Sequence, residues 1–246
     1  MCAIHQPNLF PRLSTLAKLY AADRWIVLDD VQFTRRDYQH RARLAALDEP
    51  ARWQWLTLPT HLPQGRSTLI SQARLVDPQR SRRTVQLLVR QYYGRSPHRR
   101  AVFDVLDAVL DTLDTSDRVA DLARTSTIAL LTVLGWSGDV RDSSEIPTRP
   151  GRSERLADLA AATGSTHYLC GTGGLRYLDA DPFDAHGIPV LPFHMPVDDL
   201  LWEWARSVSS LWALSAIGPD ELANQVAAQR EAHLRNGLRA RAQWFR

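Results

Sequence analysis

Sulfur is scarce in this chain: 246 residues carry two cysteines, Cys2 and Cys170, and two methionines. So few thiols exclude a disulfide framework, and neither cysteine has a neighbour at the C-x-x-C spacing of structural zinc. No apolar run approaches the roughly 18 residues of a membrane span, and Met1-Cys2-Ala3-Ile4-His5-Gln6 lacks the basic-then-apolar order of a secretory leader. The expectation is a cytoplasmic protein with no membrane span. Lysine is nearly missing as well: Lys18 stands alone beside 29 arginines. Arginine holds planar oxyanions with two parallel N–H donors, which suits phosphate or carboxylate recognition, although a G+C-rich genome enriches the same residue. The arginines are interleaved with 27 acidic residues for a net charge of only +3, whereas a nucleic-acid footprint gathers its basic residues on one face. Nucleic acid is therefore not the expected partner.

What is present reads as one folded unit. Hydrophobic residues make up 44% and charged residues 23%, which excludes disordered and fibrous classes. Cys2-Ala3-Ile4 is a short apolar run stopped at His5-Gln6-Pro7, Leu13 to Tyr20 carries helical spacing, and Trp25-Ile26-Val27-Leu28 is a buried-strand pattern closed by Asp29-Asp30. These three make a βαβ unit. Val31-Gln32-Phe33 and Trp53 to Leu58 alternate and predict a hairpin or insertion, and residues 78 to 134 are helical in pattern, broken at Gly94 and Pro97. Strand signals return at Val140-Arg141-Asp142, at Thr166 to Cys170 and at Ile188 to Phe193, where two prolines predict a sheet edge. The fold expected is α/β: an open, mainly parallel sheet over residues 1–198, a helical insertion at about 34–134, and a helical C-terminal segment, 199–246, on the same domain.

In such a sheet ligands bind beyond the carboxyl ends of the strands. Those ends carry His5-Gln6, Asp29-Asp30 with Gln32, Ser143-Ser144-Glu145, and Cys170 followed by Gly171-Thr172-Gly173-Gly174. An imidazole, carboxylates, a thiol and a glycine-rich turn form an active-site inventory if they converge. Each has a quieter reading. His5 can bond its own loop, Asp29 and Asp30 can cap turn amides, the glycines can make a tight turn in place of an anion nest, and Cys170 can be a small buried hydrophobe. Paired carboxylates can bind magnesium, which would suit phosphate-ester or nucleotidyl chemistry at Asp29-Asp30, but one acidic pair without further spaced ligands is weak evidence for it, and no metal or cofactor is expected.

The stretches Ala3 to Pro11, Leu28-Asp29-Asp30-Val31-Gln32-Phe33, Trp53 to Pro59, Gln91-Tyr92-Tyr93, Asp142 to Glu145, Ser153 to Leu156 and Tyr168 to Gly174 with Tyr177-Leu178 resemble the WbqC-like protein family. The resemblance spans roughly residues 3 to 218. It implies a setting in surface-polysaccharide or specialised-metabolite biosynthesis and an activity of transferase type. The recurring polar positions of that family fall on His5, Gln6, Asp29, Asp30, Gln32, Arg41, Arg43, Ser144, Glu145, Gly171, Gly174 and Tyr177. Departures are His40-Arg41-Ala42-Arg43 in place of an Asn-Arg-Asn-Arg segment, Arg12 in place of an aromatic, and Trp212 three residues after Ser209 in place of aspartate.

The function expected is an acyl- or aminoacyl-transferase acting on an amine or sugar acceptor. Cys170 would attack the activated carbonyl, His5 serve as base, and Asp29 or Asp30 orient His5 or the acceptor. The amides of Gly171, Thr172, Gly173 and Gly174 would stabilise the oxyanion. Arg41 and Arg43 would hold an anionic arm of a small-molecule substrate, such as one thioester-bound on a carrier protein. Gln6, Gln32, Ser144, Glu145 and Tyr177 would complete the substrate contacts. In a milder form His5 is base for direct attack and titrates near about 6.5. The alternative class is a non-catalytic module that binds a nucleotide-sugar or carrier-bound intermediate.

Overall fold

The computed structural model describes residues 1–196 and 200–244. The chain opens with strand β1 (Cys2–His5), helix α1 (Leu13–Ala21) and strand β2 (Arg24–Val27). β1 and β2 pair in parallel register, Cys2 beside Arg24 and His5 beside Val27. An insertion follows: the antiparallel hairpin β3 (Arg41–Ala45) and β4 (Trp53–Thr57), a two-residue pair β5 (Thr60–His61) and β6 (Arg74–Leu75), and helices α2 (Pro78–Tyr93), α3 (Arg99–Thr115) and α4 (Val119–Val133). The start and stop of α2 follow from the sequence. Asp77 accepts a hydrogen bond from the amide of Arg80, Pro78 needs no amide partner in the first turn, and Gly94 ends the helix.

β7 (Asp139–Asp142), α5 (Arg152–Ala162), β8 (Tyr168–Gly171), α6 (Thr172–Leu175), α7 (Asp181–Ala185) and β9 (Val190–Phe193) complete the sheet region. The five parallel strands stand in the order β7-β2-β1-β8-β9. This is the α/β fold that the alternation of strand and helix patterns implies, and the proline-containing strand β9 is at an edge, where its missing amide costs no ladder bond. Val31-Gln32-Phe33 differs from the expectation: it makes only an isolated bridge, Gln32 with Leu69. The amide of Phe33 bonds the Thr68 carbonyl instead of extending the hairpin. Helices α8 (Leu200–Glu203), α9 (Ser210–Ile217) and α10 (Pro219–Trp244) follow. The segment before α9 is tied to the start of α1: the amide of Ser14 donates to the Ala205 carbonyl, and those of Ser209 and Ser210 to Arg43 and Pro11.

Side-chain alternation divides the core into two layers. Ala3, Trp25, Val27, Leu169 and Phe193 join one cluster with α1, the insertion helices and α9. Cys2, Ile4, Ile26, Tyr168 and Cys170 join the other, with Ala157, Leu159, Ala160 and Phe183 of α5 and α7. His5 follows Ala3 in phase, whereas Cys170 is in phase with Ile4, and this parity governs the site.

Candidate functional site

The carboxyl ends of β1 and β8 open into a cavity of about 350 Å³ whose lining includes His5, Arg12, Lys18, Cys170 and the turn Gly171 to Gly174. Lys18 was not among the residues expected here. It comes from α1, flanked by the buried Leu16, Ala17 and Leu19, and is itself only 6% exposed. Its Nζ donates to the Ile4 carbonyl at 3.4 Å and lies 3.2 Å from His5 Nδ1. His5 Nε2 is 3.3 Å from Asn8 Nδ2, so both ring nitrogens have protein neighbours. The carbonyl of His5 is held by the Trp25 indole N–H and the Leu28 amide. Burial, then the charges of Lys18 and Arg12, hold His5 well below the ordinary histidine range and keep the imidazole neutral. Burial also lowers Lys18 to about 8, partly opposed by the nearby thiols of Cys170 and Cys2. A signal for Lys18 did exist in the sequence: the single lysine of an arginine-rich chain falls within the apolar run of an amphipathic helix.

Cys170 shares the cavity with His5, but no hydrogen bond joins the two among the described residues. The sheet parity is the reason, because the side chains leave β1 and β8 toward opposite layers. Cys170 Sγ turns to the Gly171 carbonyl at 3.5 Å, the residue is 1% exposed, and burial pushes its thiol up, opposed by Tyr168 and Lys18. An unperturbed or raised thiol is a poor resting nucleophile.

A second cavity, of about 480 Å³, is lined by Gln6, Gln32, Arg155, Leu156 and Tyr177, and shares Tyr168, Cys170 and Gly174 with the first. Gln6 accepts a hydrogen bond from Gln39 at 2.6 Å, Gln32 donates to the Arg66 carbonyl at 2.6 Å, and Tyr177, 68% exposed, stands under Arg152. The remaining expected residues gather elsewhere. Asp29 accepts from Ser143 Oγ at 3.2 Å, the Ser144 amide at 3.2 Å and Ser144 Oγ at 3.0 Å. Asp30 accepts from Ser143 and pairs with Arg155. These carboxylates tie the end of β2 to the turn after β7, and neither bonds to His5 among the described residues. Asp29, Ser144 and Glu145 line a third hollow of about 270 Å³ together with Arg118 and Arg124. Arg41 and Arg43 lie on the hairpin, stacked on Trp55 and Trp53 at 4.2 and 4.4 Å, and line neither of the first two cavities. Among the described residues no three His, Cys, Asp or Glu side chains are grouped to hold a metal ion, and no helix is long and apolar enough to cross a membrane.

In comparison with known proteins, the model of the WbqC-like protein family matches residues 6–222, from the residue after β1 into α10. The chain belongs to the WbqC-like protein family. A relative in Mycobacterium tuberculosis strain H37Rv, described as "Uncharacterized protein Rv1507c", is 26% identical over 210 residues, covering 85% of this chain and 86% of its own. No solved structure matches. Membership names no reaction, and the chemistry has to be argued from the cavities themselves.

Proposed function

We propose that this chain is a cytoplasmic transferase that moves an activated acyl or aminoacyl group to an amine or sugar acceptor, in surface-polysaccharide or specialised-metabolite biosynthesis. One observation carries the reading: two cavities meet at a common wall of Tyr168, Cys170 and Gly174. Group transfer needs two substrates held so that their reacting atoms face each other. The first cavity is cationic and suits the donor. The second, with Leu28, Val31 and Leu156 beside Gln6 and Gln32, suits an acceptor of mixed polarity.

The chemistry follows from Lys18 and His5. The ammonium of Lys18 polarises the donor carbonyl and stabilises the oxyanion as the acceptor attacks. His5, neutral and unable to repel that ammonium, fixes its position and is a positioning residue. With an amine acceptor the C–N bond forms, the bond from carbonyl carbon to leaving group breaks, and the proton shed by nitrogen leaves with the departing thiolate or oxyanion. Cys170 is wall and not nucleophile, in keeping with its raised thiol and its separation from His5.

Mixing the protein with acyl thioesters, acyl phosphates and an amine acceptor, with mass spectrometry of both product and intact protein, tests this. The expected result is a new amide, no acyl adduct on the chain, and a Cys170→Ala variant that still turns over. An adduct on Cys170 would restore the covalent route, and saturable binding with no product from any donor would leave a holding module in place of an enzyme.

A further inference from the structure

The donor cavity has an unbalanced charge. Arg12, Lys18 and Arg206 line it, and no aspartate or glutamate does so among the described residues. None of the three has an ion-pair partner among the described salt bridges, which elsewhere engage Arg24, Arg74, Arg82 and Arg155. At Lys18 the imbalance is not a matter of solvated surface. Lys18 is 6% exposed, and taking an ammonium out of water costs several kcal/mol unless negative charge offsets it. Its two contacts, the Ile4 carbonyl and His5 Nδ1, supply dipoles and no charge, and they occupy two of its three N–H donors. Arg12 is held over the Tyr38 ring at 4.3 Å and donates through Nη1 to the Arg206 carbonyl at 3.1 Å, while its Nε is buried with no hydrogen-bond partner. A buried donor without an acceptor is a standing cost that a ligand oxygen would remove.

We infer that Arg12, Lys18 and Arg206 form the seat of a phosphoryl group carried by the donor substrate. The guanidinium of Arg12, clamped on Tyr38, offers a planar fork matched to two phosphate oxygens, and Lys18 adds a point charge with one N–H to spare. Three cations with no opposing acid among the described residues suit a dianion better than a single carboxylate. The exposed Arg206 comes from the segment whose Ala205 carbonyl receives the Ser14 amide, so the contact that docks this segment on α1 also brings the third cation to the mouth of the cavity. The inference rests on the transfer reading for what the phosphoryl group accompanies: an acyl phosphate or an acyl adenylate carries it on the reacting carbonyl, within reach of the same ammonium, whereas a phosphopantetheine thioester holds it a whole arm away and would leave Lys18 to the phosphate alone.

The test is the thermal midpoint and calorimetric binding of the full chain at constant ionic strength, with inorganic phosphate, acetate, AMP and pantetheine 4′-phosphate as probes. Phosphate should raise the midpoint above the salt control, and acetate should fall well behind it. Whichever of AMP and pantetheine 4′-phosphate gains most over inorganic phosphate identifies the source. Binding of AMP and pantetheine 4′-phosphate, phosphomonoesters whose second pKa is about 6, should weaken as pH rises from about 7.5 to 9.5, where each stays a dianion and Lys18 loses its proton. The other titratable neighbours of Lys18 in the lining are His5, Tyr168 and Cys170, and of these the imidazole is already neutral there while losing a proton from either other group would only repel the ligand further. Arg206→Glu, at an exposed position that tolerates the change, should lose at least about 10-fold in phosphate affinity, and Lys18→Met a similar amount. Equal shifts with phosphate and chloride, or wild-type affinity in Arg206→Glu, would overturn the inference. Phosphate binding without transfer from any donor removes the transfer reading and keeps this one, and transfer with no phosphate preference does the reverse.

Discussion

Lys18 Nζ lies 3.2 Å from His5 Nδ1, a buried amine and a partly buried imidazole facing each other with no carboxylate between them. Folding would avoid such a pair unless it served something. Lys18→Met should therefore raise stability at pH 7 by about 1–3 kcal/mol in urea denaturation while transfer falls about 100–1,000-fold. The sign has a pH signature. Lys18 gives up its proton near 8 in the fold but near the ordinary value of 10.5 when unfolded, so the unfolded chain binds more protons between those values. Wild-type stability rises with pH across that window and the advantage of the variant shrinks. A Lys18→Met chain that is less stable and fully active contradicts both parts.

The same residue sets the pH profile of the reaction. Because the ammonium is the working form, kcat/KM for an acceptor already neutral throughout should fall as pH rises through about 8. Near 6.5 the profile should show no inflection from His5, which burial keeps neutral well below that value. An ascending limb at 6.5 that His5→Gln abolishes would return the base role to the histidine.

Acid stability should be set in part by His40, a buried ring against Phe33 lowered to about 4 by burial and by Arg41 and Arg35. As pH falls from 6.5 toward 4 the unfolded chain protonates this histidine first, so stability declines through that window and is whole above it. His40→Phe should flatten the decline by about 1–3 kcal/mol at pH 4.5, read by denaturant midpoint against a pH 7.5 control.

Asp29 should behave as a brace. Its three hydrogen bonds to Ser143 and Ser144 predict a loss of about 2–3 kcal/mol in Asp29→Ala. The folded fraction should keep its transfer rate within a few-fold. A 1,000-fold loss in fully folded protein would place this carboxylate in the chemistry.

The wall between the cavities has its own test. A Cβ on Gly174 would stand 2.9 Å from Cys170 Sγ, closer than packing allows. Gly174→Ala should cost about 1–3 kcal/mol, and adding Cys170→Ala should recover part of it, a coupling that a double-mutant cycle reads directly. Strict additivity would mean that the turn relaxes away from the strand.

Much of this molecule is legible one residue at a time. The apolar runs at Cys2 to Ile4, Trp25 to Val27 and Tyr168 to Cys170 pair side by side, because strands buried on both faces must be apolar at every position. Pro189 and Pro192 point to an edge, and Gly94 to a helix end, through local backbone chemistry alone. That polar groups gather at the strand ends is equally local. Which of them meet is another matter. The parity of a pleated strand sends His5 and Cys170 to opposite layers, and the neighbours of Asp29, at Ser143 and Ser144, lie 114 and 115 positions away along the chain. The rotation of α1 against the sheet turns Lys18 inward, and the docking of residues 205–210 brings Arg206 to Arg12. Those outcomes depend on packing between distant segments, whose energies have no counterpart in any short stretch of sequence. The chain alone thus determined its sheet and the kinds of groups at its edge, and tertiary packing decided that a lysine and two arginines, with no acid among the described residues to balance them, share the cleft.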